Sequence, residues 1–299
     1  MSEPSVSMFQ GRQAELAISV WRNPAPHHIV VLAHGYGEHL GRYGHVADAL
    51  VDRGALVVGP DHVGRGRSGG DRVVITDYEL VVDDLDSVVE RVKERHPGLP
   101  IVLVGHSMGG MIGARYAQLH GDGLAGLVLS GPVLGSWTPV TDMLGLDEIP
   151  DDPLDVSTLS RDAEVGEVYS ADELVWHGPF KRPTLEALDA ALETINNGRK
   201  LGSLPALWLH GEQDPLVAAR DTCRDRDARV HPARDRDLSG SSPRGLQRDQ
   251  QGRGPGGHRR LHRQGDGLTP TGACSPSSPT SARNSARVGG GRSLTQRSR

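Results

Sequence analysis

The sequence predicts an α/β fold with a mostly parallel sheet, and three observations predict it. Short apolar, β-branched runs ended by glycine recur along the first 217 residues. Amphipathic helical patterns lie between them. The order strand, helix, strand, helix implies right-handed crossovers between parallel strands.

The strands come first in the argument. HHIVVLAHG (27–35), GALVVGPDH (54–62), PIVLVGHS (100–107), GLAGLVLSG (123–131) and PALWLHG (205–211) are continuous rather than alternating in apolar character. Such runs suit strands buried on both faces. Among the helices, Leu80, Val81, Leu85, Val88, Val89 and Val92 share one face, with Pro97 closing the segment. Val46, Leu50 and Val51 mark a shorter helix, and Leu185, Leu188, Leu192 and Ile195 mark one before the last strand. Residues 136–184 break the rhythm: they are acidic, proline-containing and irregular. They read as an inserted cap over the carboxyl ends of the strands, where open α/β sheets place their ligands. The expected organisation is a core over 1–135, a cap over 136–184, a return to the core over 185–217, and a tail over 218–299.

The tail differs in kind. Residues 218–299 carry 17 Arg, no Lys, 7 Asp and no Glu, while residues 1–217 carry 16 basic and 31 acidic groups, so the overall charge of −5 hides opposite signs. The tail has no Ile, Phe, Met, Trp or Tyr. It cannot bury enough apolar surface to offset the entropy of ordering, and disorder is expected. Two cysteines, Cys223 and Cys274, give neither a disulfide framework nor metal spacing. No signal peptide and no bilayer-length apolar run is seen, so a cytoplasmic protein is expected. No metal or organic cofactor is implied.

The chemistry concentrates in VLVGHSMGG, which contains Gly105-His106-Ser107-Met108-Gly109 directly after a strand and before a helix. That context makes Ser107 the nucleophile of a strand-to-helix elbow. The turn lifts the hydroxyl out and leaves no room for side chains at the flanking glycines. The backbone N–H of Met108 then faces a developing oxyanion, and the N–H of Tyr36, in His34-Gly35-Tyr36-Gly37, is the expected second donor. His34 and His39 read as structural. The string GRGRSG (64–69) fits a dinucleotide fingerprint, but no helix pattern starts there, and it reads as a loop shaping the strand exit.

HGYGEHLGRYGHVADAL, DHVGRGRSGG, VGHSMGG and LSRDAEVGEVYSADELVWHG together resemble the bacterial monoacylglycerol lipases of the α/β-hydrolase superfamily over about residues 10–217. The resemblance implies hydrolysis of carboxylic esters of monoacylglycerols or lysophospholipids. The partner is then a small lipid ester, with transient contact between the cap and a membrane or micelle surface. One departure is Val63-Gly64-Arg65, where the family usually has Arg first and His third. Asp214, in LWLHGEQDPLV, takes the place of the triad acid, which would orient an imidazole and stabilise its cation.

The histidine is not found. In this fold the order is Ser, acid, His, and only His231, His258 and His262 follow Asp214. Each sits in Arg- and Gly-rich sequence with no strand ahead of it, so no catalytic histidine is identified. Arg without Lys, with much Gly, Pro and Ser, is what GC-rich DNA encodes out of frame. Codons consistent with Leu238–Gly267, read one base later, can give YPGARHEVFNETNKDEVLADIVAFIDKVT, with the histidine codon straddling Pro243 and Arg244. That text matches the family's ending, a histidine turn followed by an amphipathic helix. A frameshift near Val217 is the expected cause. The competing readings are a genuine Arg-rich tail that binds nucleic acid, a folded but inert hydrolase relative, and a misfolded product.

Overall fold

The computed structural model describes residues 3–152 and 154–218. The expectations for residues 219–299, including disorder of the tail and the fates of His231, His258 and His262, lie outside the described residues.

The five expected strands form as β3 (His28–Ala33), β4 (Ala55–Pro60), β5 (Ile101–His106), β6 (Gly126–Ser130) and β7 (Ala206–Leu209). The structure adds two strands the sequence reading did not assign, β1 (Ser5–Gln10) and β2 (Glu15–Trp21). The sheet order is β1-β2-β4-β3-β5-β6-β7. The neighbours from β4 to β7 pair in parallel, whereas β1–β2 and β2–β4 are antiparallel. β1 escapes the apolar-run test because it is an edge strand: its pattern is almost wholly exposed, with Val6 and Met8 facing water.

Burial on both faces explains the continuous apolar runs. Along β3, Ile29 and Val31 enter one core while Val30 and Leu32 enter another. The larger core lies under α2 (Tyr78–Arg95), α3 (Met108–His120) and α6 (Arg182–Asn197), and the smaller one under α1 (Gly44–Val51).

The α2 face is close to the expected one, with two differences. Val82 joins the core at 0% exposure, and Leu80 is only half-buried. Asp77 caps the start by accepting from the Glu79 N–H, and Lys93 and Arg95 lie in the last turn, where cations suit the helix dipole. In α6, Leu185, Leu188, Leu192 and Ile195 are all buried.

Between β6 and α6 the chain is less irregular than its composition suggests. It forms α4 (Thr138–Leu144) and α5 (Ala163–Ala171). Pro139 sits in the first turn of α4, where a missing N–H costs nothing, and Asp162 caps α5 through the Glu164 N–H. Several bonds fasten this stretch to the core loops. The Trp176 N–H donates to the Gly37 carbonyl at 2.7 Å, Arg72 Nη2 to the Leu174 carbonyl at 2.8 Å, and Trp137 Nε1 to the Leu216 carbonyl at 2.9 Å. Among the described residues no helix is long and apolar enough to cross a membrane.

Candidate active site

Ser107 occupies the one-residue joint between β5 and α3, with φ 53° and ψ −118°. Only one other described non-glycine residue, Val73, has a positive φ. A side chain in this region costs about 1–3 kcal/mol and persists only where the surroundings over-determine it. They do so here. The Ser107 N–H donates to the Ser130 carbonyl at 3.0 Å. The Ser107 carbonyl accepts from the N–H groups of Gly110, Met111 and Val133. The flanking glycines are steric necessities: a Cβ at Gly105 would lie 2.3 Å from the Gly109 oxygen, and one at Gly109 would lie 2.1 Å from the Ala33 oxygen.

The loop after β3 closes against this joint. A Cβ at Gly35 would stand 3.3 Å from the Ser107 Cβ. Tyr36 and Met108 thus flank Ser107 from the β3 loop and the α3 terminus. Glu38 holds the loop, since its Oε1 accepts from the Gly35 N–H at 2.8 Å and from the Tyr43 hydroxyl at 2.5 Å. Burial pushes the Glu38 carboxyl up, but His106, the Tyr43 hydroxyl, His34 and the Gly35 N–H outweigh it and leave the acid below its ordinary value. The sequence reading overlooked Glu38, although an acid three residues beyond Gly35 was in plain view.

The nearby histidines have fixed bonding. His34 donates through Nδ1 to the Gly35 carbonyl at 2.8 Å and accepts at Nε2 from the His62 N–H at 2.9 Å. That pattern requires the neutral ring, and burial lowers the His34 pKa well below the usual range. His39 accepts from the Gly41 N–H and donates through Nε2 to Asp172 at 2.9 Å, linking the β3 loop to the end of α5. His106 bonds the Ser130 carbonyl.

Asp214 lies in the turn after β7 at 7% exposure. The register pairs His106 with Ser130 and Ser130 with Leu209, so Ser107, Gly131 and His210 leave the sheet side by side. A Cβ at Gly131 would be 3.5 Å from Asp214 Oδ2, which turns that oxygen toward the middle strand of the three. The other oxygen, Oδ1, accepts from the N–H groups of Leu216 and Val217, both at 3.0 Å. The structure therefore gathers Ser107, Tyr36 and Met108 at one point and sets Asp214 at the end of the sheet on the same side.

His210 is the other residue that sequence reading passed over. Trp208 Nε1 donates to its Nδ1 at 3.1 Å, so its proton sits on Nε2 and goes to the Val217 carbonyl at 2.7 Å. Nε2 also lies 3.5 Å from Asp214 Oδ2. His210 closes the acid turn. The hydrogen bonds of His34, His39, His106 and His210 all go to groups other than Ser107.

Comparison with known proteins gives the family of the chain. A family model, Hydrolase_4, described as "Serine aminopeptidase, S33", matches residues 24–237, running on past Val217. A monoacylglycerol lipase of Mycolicibacterium smegmatis is 36% identical over 212 residues, 68% of this chain and 76% of the relative. The human monoglyceride lipase is 33% identical over 205 residues, 65% of this chain and 68% of the relative. The crystal structure of the Paleococcus ferrophilus monoacylglycerol lipase superposes with a TM-score of 0.59 at 28% identity, covering 70% of this chain and 82% of that one. The chain therefore belongs to the Hydrolase_4 family of α/β-hydrolases, beside the monoacylglycerol lipases, and is by family a carboxylic-ester hydrolase.

Proposed function

We propose that the chain carries the nucleophile, oxyanion hole and acid of a monoacylglycerol-type serine hydrolase, and that its general base is absent from residues 1–217. The observation that carries this reading is the strained Ser107 joint, closed on by the Gly35 loop. Ser107 attacks the ester carbonyl of a monoacylglycerol or lysophospholipid. The Tyr36 and Met108 amides hold the tetrahedral oxyanion. Asp214 orients and charge-stabilises an imidazole that, in an intact ending, would take the Ser107 proton and return it to the departing glycerol oxygen. Residues 136–184 form the cap that shapes the acyl site and touches the lipid surface. Residues 218–299 are the product of a frameshift near Val217 and bind no nucleic acid in this reading.

A half-exposed apolar stripe supports the missing ending. Val102, Val104, Val128, Leu207 and Leu209 run across β5, β6 and β7 on the face that α1 shares, and each is only half-buried. A terminal helix would cover them.

The test uses the full chain and a chromogenic short-chain ester, with and without imidazole. Without a base, acceleration is limited to roughly 10³–10⁴ over water. Added imidazole raises the rate by supplying the base, and Ser107→Ala removes both the residual and the rescued rate. Rescue that survives Ser107→Ala would exclude Ser107 as the nucleophile. A rate that imidazole leaves unchanged would show that a base is already present.

A further inference from the structure

Arg65, in the loop after β4, is buried in surroundings that are unusual for a cation. The side chain is 1% exposed. Nη1 donates to the Val63 carbonyl at 2.8 Å, Nη2 makes a long contact to the Val73 carbonyl at 3.4 Å, and Nε has no partner among the described residues. No described carboxylate pairs with it; the groups that act on it electrostatically are Tyr78, Tyr36 and Arg72. Arginine keeps its charge at such sites, so the molecule holds a desolvated positive charge without a counter-ion. The loop also accepts strain to do so. Val73, a β-branched residue, is held at φ 53°, with its carbonyl shared between Arg65 and the Thr184 hydroxyl.

The two rings beside this charge lead to the two oxyanion donors. The guanidinium lies 5.4 Å from the centroid of the Tyr36 ring, and the Tyr36 amide is one donor. Tyr78 lies close enough for Arg65 to hold its hydroxyl pKa down against burial, which still pushes it up to about 12. That hydroxyl points to Met108 Sδ at 3.3 Å, and the Met108 amide is the other donor. A fixed charge behind preorganised dipoles acts most strongly where water is excluded.

We propose that Arg65 is a positioning residue of the oxyanion hole, an uncompensated cation that acts through Tyr36 and Tyr78 to favour negative charge at the Tyr36 and Met108 amides. This rests on the reading of Ser107 as nucleophile. The inference is specific to anions: a neutral ligand in the same site gains nothing from Arg65.

Hexylboronic acid and 1-O-hexylglycerol separate the two cases. The Ser107 oxygen donates a lone pair to the empty boron orbital, the O–B bond forms, the hydroxyl proton leaves to water, and boron carries the negative charge. The ether is neutral and cannot react. Affinities are measured on the full-length chain by calorimetry, with boron NMR reporting the tetrahedral adduct. Arg65→Met weakens the boronate by about tenfold or more and leaves the ether within about twofold, whereas Arg65→Lys keeps both. If Arg65→Met does not fold, Arg65→His carries the test, because the burial that keeps the neighbouring His62 uncharged leaves an imidazole at this place neutral too. Equal weakening of both ligands, or none, overturns the proposal and leaves Arg65 a packing residue. Ser107→Ala abolishes adduct formation. If it does not, the nucleophile reading fails and the proposal with it. If Ser107→Ala abolishes the adduct while the Arg65 variants do not weaken it, only the Arg65 proposal fails.

Discussion

The two halves of the sheet are built from similar strands and finished differently. In β3 and β4, residues on both faces are buried: Ile29, Val31, Leu56 and Val58 on one side, Val30, Leu32, Ala55 and Val57 on the other. In β5 and β6 one face is equally closed by Ile101, Leu103, Leu127 and Leu129, while the opposite face keeps a half-exposed stripe that continues onto β7, where Trp208 on the closed side is also only half-buried. The halves also carry different parts of the site. The closed half presents the loop after β3, proposed to hold the oxyanion, and the joint at Ser107 leans on it through Gly109 and Gly35. The open half presents Asp214, held by two turn amides and His210. The closed half draws its cover from residues before 120 and from α6, whereas in the proposed reading the open face waits for the missing terminal helix. In the proposed reading the nucleophile is therefore held locally, and the acid–base pair depends on the chain's ending.

The largest expected effect erases the contrast. Deleting one base ahead of the codon for Ala218, so that the ending is read in the other frame, raises ester hydrolysis by about 10⁶-fold, the scale measured for a catalytic histidine. It also sharpens the thermal transition. Changing the restored histidine to alanine then removes the activity and keeps the melt. Comparable rates before and after repair would break the comparison, because a histidine of the present chain would have to reach Ser107.

Next in size is a break on the closed side. Gly109→Ala drives a Cβ into the Ala33 and His34 carbonyl oxygens, 2.1 and 2.6 Å away. Backbone on both sides cannot yield cheaply, so the cost is about 3 kcal/mol, or roughly 6–12 °C in Tm for a domain of this size. Calorimetry with an unchanged Tm would mean the joint is looser than its geometry implies.

A matched pair sharpens the contrast more finely. Val31→Ala, at a site with 0% exposure, removes fully buried methyls and costs about 2–3 kcal/mol in urea unfolding, while Val128→Ala on the open face costs about half that. In the frame-repaired protein the two costs converge.

The last expected effect is a pH dependence, and its sign follows from His62, His34 and Glu38 of the closed half. Burial, helped by Arg65, lowers the His62 pKa from 6.5 to about 3. The unfolded chain therefore binds a proton below 6.5 that the folded chain refuses, and stability falls as pH drops from 6.5 toward 3. Glu38 is held below its ordinary 4.5. Its contribution is intact above 4.5 and is lost as pH falls through the folded value, so it enters later. Melting curves from pH 7 to 4 show the first decline, and His62→Gln makes it shallower, because His34, also lowered by burial, keeps the remainder, while Glu38→Gln leaves it unchanged. A flat wild-type profile between pH 6.5 and 4.5 would contradict the burial of His62.

How much was legible depended on how local each feature is. The strands β3 to β7 were readable because each writes an unbroken apolar run, which burial on both faces explains for β3 and β4. β1 was not, because an edge strand with Met8 and Val6 in water leaves no such run. α5 was hidden by an acidic, broken composition, although Asp162 and Glu164 mark its start. Ser107 was readable because its turn imposes glycines at fixed spacing. Glu38 and Arg65 were in view as letters, but their roles are contacts across the chain, from Glu38 to Tyr43 and Gly35 and from Arg65 to Tyr36.

The sequence by itself determined the α/β order, the Ser107 elbow, the place of Asp214 and the charge break near Val217, since each is written in consecutive residues. Only the tertiary structure decided that His210 locks the turn of Asp214, that a buried Arg65 with no carboxylate partner among the described residues lies beside the Tyr36 ring, and that one face of β5, β6 and β7 is half-exposed. The physical reason is the same in all three cases. Each is a matter of which distant groups share a desolvated space, and sequence spacing carries no record of that.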